Sequence, residues 1–218
     1  MQSENHNNMT EEKTDTQNIT YSADGKILLK VATPGLDGYI VPAGVEAIAD
    51  GAFANCDSLN YIYFPRSLRR IGAEAFRCCH RLTNVIIPSS VEEMGARCFY
   101  DCHCLNEIHL SDGMRAIEES TFEFCRKLGH VVLPEALEEI NANAFADCFG
   151  LSGVTLPSSL KRIGSQAFAN CISIEGLVLP EGLEEIGEMA FIGCSGLGDI
   201  HVPGSVKALA SDAFLFCE

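Results

Sequence analysis

The chain has 218 residues, is 47% hydrophobic and carries a formal net charge of −15, with 30 acidic residues against 15 basic ones. That apolar content suffices for a substantial core and is too high for a disordered chain, while the acidic excess argues against nucleic acid and anionic membrane as partners. No apolar run approaches the roughly 20 residues of a membrane helix, so no membrane insertion is expected.

Residues 1–18, "MQSENHNNMTEEKTDTQN", read as a disordered acidic tail. They contain no apolar h-region, so no signal peptide is visible. Residues 19–41 come next, with Asp24-Gly25 between "ITYS" and "KILLKV", a hairpin signal. This hairpin is expected to cap a repeat array and to lead into its first strand.

Residues 42–218 form eight units of 23 residues without an insertion or deletion. Phe recurs at 53, 76, 99, 122, 145, 168, 191 and 214, and Cys follows three residues behind each one. Pro occupies 42, 65, 88, 134, 157, 180 and 203, with Ser111 filling the gap. In each unit a short alternating apolar stretch such as "YIYFP" ends at Pro, which suits a strand closed by a residue without a backbone donor. The spacing of Ile71, Ala75, Phe76 and Cys79 suits one or two helical or 3₁₀ turns. Units this small cannot bury their own apolar faces, so they must stack into a solenoid with a parallel sheet along one side. The fold class expected is therefore an α/β repeat. The last unit stops at "AFLFCE", which places Phe214 and Phe216 on a poorly capped face and reads as truncation, an unusual cap or end-to-end self-association through the C-terminal repeat.

Eleven cysteines are present. Eight of them belong to the repeated column, where buried free thiols behave as small hydrophobes. Cys98 fills the column held by Ala52, Ala75 and Ala144, so only Cys78 and Cys104 are left over in polar columns. Zinc needs about four converging ligands; with Cys79 and Cys102 directed inward, Cys78, His80, His103 and Cys104 remain. The repeat explains half of this cluster, so no metal, cofactor or catalytic residue is assigned. No phosphate loop, carboxylate pair or nucleophile elbow is present.

Charge alternates in sign after each Pro position: Glu46, Arg69-Arg70, Glu92-Glu93, Arg115, Glu138-Glu139, Lys161-Arg162, Glu184-Glu185 and Lys207. Stacked turns would set each charge beside opposites and so hold the register, although duplication of a two-unit block produces the same pattern. Strand alternation turns Ile62 inward and Tyr61 and Tyr63 outward. In the same outward columns stand Ile86, His109, His130, Val132, Thr155, Val178 and His201. This stripe is the candidate protein-binding surface, and its Val, Ile, Thr and Tyr are also plain strand formers.

The wording of the unit, as in "IPSSVEEMGARCFYDC" and "LPSSLKRIGSQAFANC", resembles the BspA-like leucine-rich repeat family over residues 20–218. The resemblance implies a right-handed solenoid whose parallel sheet is concave, and a cell-surface or secreted adhesion protein of bacteria that binds host extracellular or bacterial surface proteins. It carries no catalytic motif. The function expected is thus non-enzymatic protein binding through the sheet face. Two other readings stay open: a metal- or redox-active Cys/His protein, and an architectural spacer whose partner site lies in the tail or in further sequence.

Overall fold

The computed structural model describes residues 12–217. Among them are 17 short strands and no helix, arranged as a parallel β-solenoid of about eight rungs. At the start, β1 (Lys13–Thr14), β2 (Ile19–Tyr21) and β3 (Ile27–Val31) pair antiparallel in that order. Gly25, at φ 76°, makes the turn between β2 and β3, and Asp24 Oδ1 accepts from Lys26 N at 3.0 Å. The expectation of a disordered tail over residues 1–18 is corrected from residue 12 onward. Lys13 and Thr14 pair with β2, and Asp15 Oδ1 accepts from the amides of Gln17 and Ile19 at 2.8 and 3.0 Å. Residues 1–11 lie outside the described part.

Six rungs carry two strands where one was expected, and the last two carry only the second of them. The first line comprises β4 (Gly38–Ile40), β6 (Tyr61–Tyr63), β8 (Asn84–Ile86), β10 (Glu107–His109), β12 (His130–Val132) and β14 (Gly153–Val154). The second comprises β5 (Ala47–Ile48), β7 (Arg70–Ile71), β9 (Glu93–Met94), β11 (Ala116–Ile117), β13 (Glu139–Ile140), β15 (Arg162–Ile163), β16 (Glu185–Ile186) and β17 (Ala208–Leu209). All neighbours within these lines are parallel, in step with the 23-residue period. The cap joins the second line, through β3 beside β5.

The segment between β7 and Cys79 does not wind into the expected helical or 3₁₀ turns, and the reason is where its amides go. Glu74, Phe76 and Cys78 donate to the carbonyls of Ala96, Cys98 and Tyr100 in the next rung at 2.9, 2.8 and 2.8 Å. Arg77 and Cys79 donate three residues back, to Glu74 and Phe76, at 3.0 and 3.1 Å. A 3₁₀ turn would keep every amide for itself; here alternate ones bind along the stack, as in a sheet. Glu74 and Cys78 sit at φ 55° and 57°, a left-handed conformation that interrupts right-handed winding. Asn55, Asp101, Asp147 and Asn170 occupy the same position in other rungs, and Asn and Asp tolerate this region best. The turns thus form a third hydrogen-bonded line.

The core lies inside these three lines. Phe53, Phe76, Phe99, Phe122, Phe145, Phe168 and Phe191 are fully buried. Their rings stack at centroid distances of 4.9–5.8 Å and interplanar angles of 18° or less. The Cys column does more than fill space. The thiols of Cys79, Cys102, Cys125, Cys148, Cys171 and Cys194 donate to the Phe carbonyl 26 residues earlier at 3.0–3.2 Å, tying each rung to the one before. Burial pushes these thiols up, Cys194 to about 12, so they are protonated donors at neutral pH.

Each strand line has one seam. In the first, β6 and β8 are not joined in a ladder, and Phe64 stands there in a column otherwise aliphatic, its ring edge-on to Phe76. In the second, β9 and β11 are not joined. Every other rung of that line, from Arg69 to Lys207, donates its post-Pro amide to the rung before, but Arg115 makes no such bond to Glu92 among the described residues. Ser111 replaces Pro in this rung, Met94 and Met114 replace branched residues, and Phe99–Phe122 is the widest step of the ring stack at 5.8 Å.

The alternating charges are partly engaged. Arg115 pairs with Glu138, Arg162 with Glu139 at 2.5 Å, and Lys207 with Glu184 at 3.0 Å, each between adjacent rungs. Lys26 of the cap meets Glu46 at 2.7 Å. All are exposed, and exposed pairs contribute only about 0–1 kcal/mol each, so the series acts on register more than on total stability. Replacing Glu138 and Glu139 together by Lys breaks two of these pairs and sets like charges side by side. The melting temperature is expected to fall in low salt and to recover in high salt; a value unchanged at every salt concentration would rule the ladder out.

The ring stack sets a second expectation. Phe145 has a ring on each side, whereas Phe214 is only partly buried and stacks on Phe191. Phe145→Ala should cost about 3–5 kcal/mol and Phe214→Ala clearly less, read from denaturant midpoints at constant slope.

Candidate functional site

The register of the first strand line decides which side chains share its outer surface. Ile62, Val85, Ile108 and Val131 point into the core, so their neighbours on each strand point out. Tyr61, Tyr63, Ile86, His109, His130, Val132, Thr155, Val178 and His201 are all exposed. They fall into two parallel columns. In one, Tyr63, Ile86, His109 and Val132 follow rung by rung, with Ile86, His109 and Val132 directly paired. In the other, Tyr61 and His130 alternate with Gly38, Asn84, Glu107 and Gly153.

Sequence reasoning missed one member. Ile40 pairs with Tyr63 and is 68% exposed, against 61% for Tyr63 and 67% for Ile86, so the apolar column begins one rung earlier. The signal was its position 23 residues before Tyr63. At the other end the expectation is too generous. Strand pairing stops at β14, and Gly176 and Gly198 adopt φ of 60° and 63°, which no extended strand contains. Val178 and His201 therefore continue the column in space without belonging to the sheet.

Glycines in the second column make room for its rings. The ring of Tyr61 lies across Gly38, where a Cβ would collide with it, and His130 Cδ2 lies 3.2 Å from the Cβ position of Gly153. Tyr61 and Tyr63 pack at a centroid distance of 5.8 Å. The first-line seam opens next to them as a recess of about 450 Å³, lined by Tyr61, Tyr63, Phe64, Thr83, Ile86 and Pro88. A larger recess of about 660 Å³ lies at the second-line seam, but Arg70, Glu92, Glu93, Arg115 and Glu118 make it charged. Of the two, only the first combines aromatic anchors with a low density of charge, the composition that protein interfaces favour at their centres.

The Cys/His clusters separate as the repeat predicts. Cys79 and Cys102 are fully buried in the core column. Cys98 is buried as well, and all eleven cysteines are free thiols. Cys78 and Cys104 stay half-exposed on the turn line, and the Cys104 sulfur accepts from Lys127 Nζ at 3.8 Å. Among the described residues no helix is long and apolar enough to cross a membrane.

A family model described as the BspA type leucine rich repeat region matches residues 33–152 and 116–218 in six copies. The solved structures similar to this chain include a leucine-rich repeat protein from Bacteroides ovatus, 26% identical over 94% of this chain and 59% of that one, at a TM-score of 0.74. A leucine-rich repeat protein from Eubacterium ventriosum is 24% identical over 91% of this chain and 53% of that one, at a TM-score of 0.79, and bears on the fold alone. A leucine rich cell surface protein from Faecalibacterium prausnitzii is 28% identical over 83% of this chain and 57% of that one, at a TM-score of 0.55. The chain thus spans little more than half the length of these structures. No curated protein matches it.

A thiol count checks the placement of the cysteines. Seven of the eleven are buried and four, Cys56, Cys78, Cys104 and Cys217, are partly exposed. At neutral pH no more than these four should react promptly in the native chain, and all eleven after unfolding. Nine in the unfolded chain would reveal a disulfide, and prompt reaction of the whole set would refute the buried ladder.

Proposed function

Because the chain belongs to the BspA-type leucine-rich repeat family, we propose that it is a non-enzymatic scaffold that binds another protein through the outer face of its first strand line. The family is one of repeat scaffolds, not of catalysts. The observation that carries the reading is the unbroken apolar run Ile40, Tyr63 and Ile86, flanked by Tyr61 and opening onto the recess beside Phe64. Contiguous exposed apolar surface on a soluble fold marks an interaction site more often than scattered apolar residues do. The solenoid supplies stiffness: even at the seam between β6 and β8 the rungs stay tied along the second strand line and the turn line, so the face is preformed and loses little conformational entropy on binding.

His109, His130 and His201 lie on the same face and bring hydrogen-bonding groups to an otherwise apolar stripe. His109 Nε2 already meets Glu107 Oε1 at 2.8 Å, so its ring is oriented before any partner arrives. The partner class that suits this face is a protein offering aliphatic or aromatic side chains to the recess. We assign the protein to the cell surface or the secreted fraction, as an adhesion or interaction protein. The family resemblance and the cell-surface description of the Faecalibacterium prausnitzii relative support that assignment.

The test is capture of host extracellular proteins by the purified chain, run beside a variant carrying Tyr63→Ser, Ile86→Asp and Val132→Ser. All three side chains are exposed, so the variant should melt within a few degrees of the parent. The expected result is a captured protein that the variant loses. Identical capture by both would show that this face is not the binding surface.

A further inference from the structure

One group of side chains is not accounted for by the repeat. Cys78 sits at φ 57° in a column where Asn55, Asp101, Asp147 and Asn170 have the residue types that this backbone favours, and where Phe124, Gly193 and Phe216 also stand. A cysteine has no such local reason to be there. Two residues further on, the next column holds Asp57, His80 and His103 in successive rungs. The stack therefore collects groups from three rungs at one spot on the turn line, away from the strand face. Cys78 Sγ, a ring nitrogen of His80 and a carboxylate oxygen of Asp101 lie within 4.8 Å of one another. The His103 ring stacks on that of His80 at 4.5 Å and 19°, with its Nδ1 3.7 Å from Asp101 Oδ1.

The hydrogen bonding of His80 decides what this group can do. Asp57 Oδ1 lies 2.8 Å from His80 Nδ1. An ionised carboxylate only accepts, so Nδ1 donates to it and the ring is held with Nε2 on the other side. Nε2 faces Asp101 Oδ2 at 3.4 Å. The Cys78 sulfur lies at the same spot, so a sulfur, an imidazole nitrogen and a carboxylate oxygen converge there.

We infer that Cys78, His80 and Asp101 form a binding site for a divalent metal ion of the zinc class, with Asp57 orienting His80 from outside. The ligand types agree, since a thiolate, an imidazole and a carboxylate together suit zinc rather than calcium or magnesium. Asp57 supplies the outer carboxylate that metal-binding histidines usually have. Bonds of about 2.0–2.3 Å set tetrahedral ligands about 3.3–3.8 Å apart. His80 and Asp101 already stand at such a distance, 3.4 Å, so at most Cys78 must approach by roughly 1 Å, a movement that a half-exposed side chain makes by a small rotation. Burial raises the Cys78 thiol, with Arg77 acting in the opposite sense, so the ion displaces a proton on entry. Cys104, paired with Lys127, stays outside the site, and His103 stands beside the fourth position.

The test is titration of the full chain, reduced and freed of metal by a chelator, with Co²⁺ and then with Zn²⁺. About one equivalent of Co²⁺ should bind with a thiolate-to-cobalt charge-transfer band, which Zn²⁺ then removes. The band should be absent in Cys78→Ser, and affinity should fall at least tenfold in His80→Ala and in Asp101→Asn. Asp57→Asn, which removes only the outer partner, should weaken binding about 10–100-fold, and Cys104→Ser should leave it unchanged. Thermal melts of each variant verify that it is folded. Failure to bind Co²⁺, or a band that survives in Cys78→Ser, overturns the assignment.

Discussion

The peptide groups of each rung are satisfied by the rungs on either side, along two strand lines and one line of turns. Glu74, Phe76 and Cys78 donate forward while Gly72 and Arg69 donate backward to Ile48 and Glu46. A buried backbone group left without a partner costs as much as a lost hydrogen bond, so a residue inserted into one rung would put all three lines out of step at once. This explains why eight units follow one another without an insertion. It also sets the scale of the side-chain columns. Rungs lie one strand spacing apart, about 5 Å, and the Phe rings stack at that same interval. Whatever occupies one position in the unit is thereby brought against its counterparts.

Repetition of this kind accumulates strain where a residue does not match its column, and the two seams are where it shows. Phe64 in an aliphatic column accompanies the parting of β6 and β8, and Ser111 with Met94 and Met114 accompanies that of β9 and β11. Neither seam breaks the stack. The Phe column runs through both, and at the second one the turn line still joins Arg97, Phe99 and Asp101 to the following rung at 2.8–2.9 Å. One line can open because the other two hold the rungs together.

Inward positions are held to apolar residues of similar size by the ladder, most strictly in the Phe and Cys columns, while outward positions vary more because packing constrains them less. The surface is therefore where rungs become individual. Ile40, Tyr63 and Ile86 gather on the first strand line, opposite charges face each other beside the second, and Cys78, His80 and Asp101 meet on the turns. The regular spacing converts residues 23 apart in sequence into neighbours without any loop having to bring them together.

Much of this was legible in the sequence. The period, the buried Phe and Cys columns, the parallel pairing and the outward direction of Tyr61, Tyr63 and Ile86 all follow from residue type and spacing, because each depends on contacts within the unit or its exact repetition. The turn segment was misread as helical because its apolar spacing is that of a helix. Only the neighbouring rung, by taking every second amide, turns it into a third ladder. Alternation likewise placed Val178 and His201 on the sheet, until the positive φ of Gly176 and Gly198 ended it. For the Cys/His clusters, the sequence by itself determined that Cys79 and Cys102 are core residues. That Asp101, and not Cys104, completes the group around Cys78 and His80 was decided by the tertiary structure, because Asp57, His80 and Asp101 come from three successive rungs and meet only through the stacking.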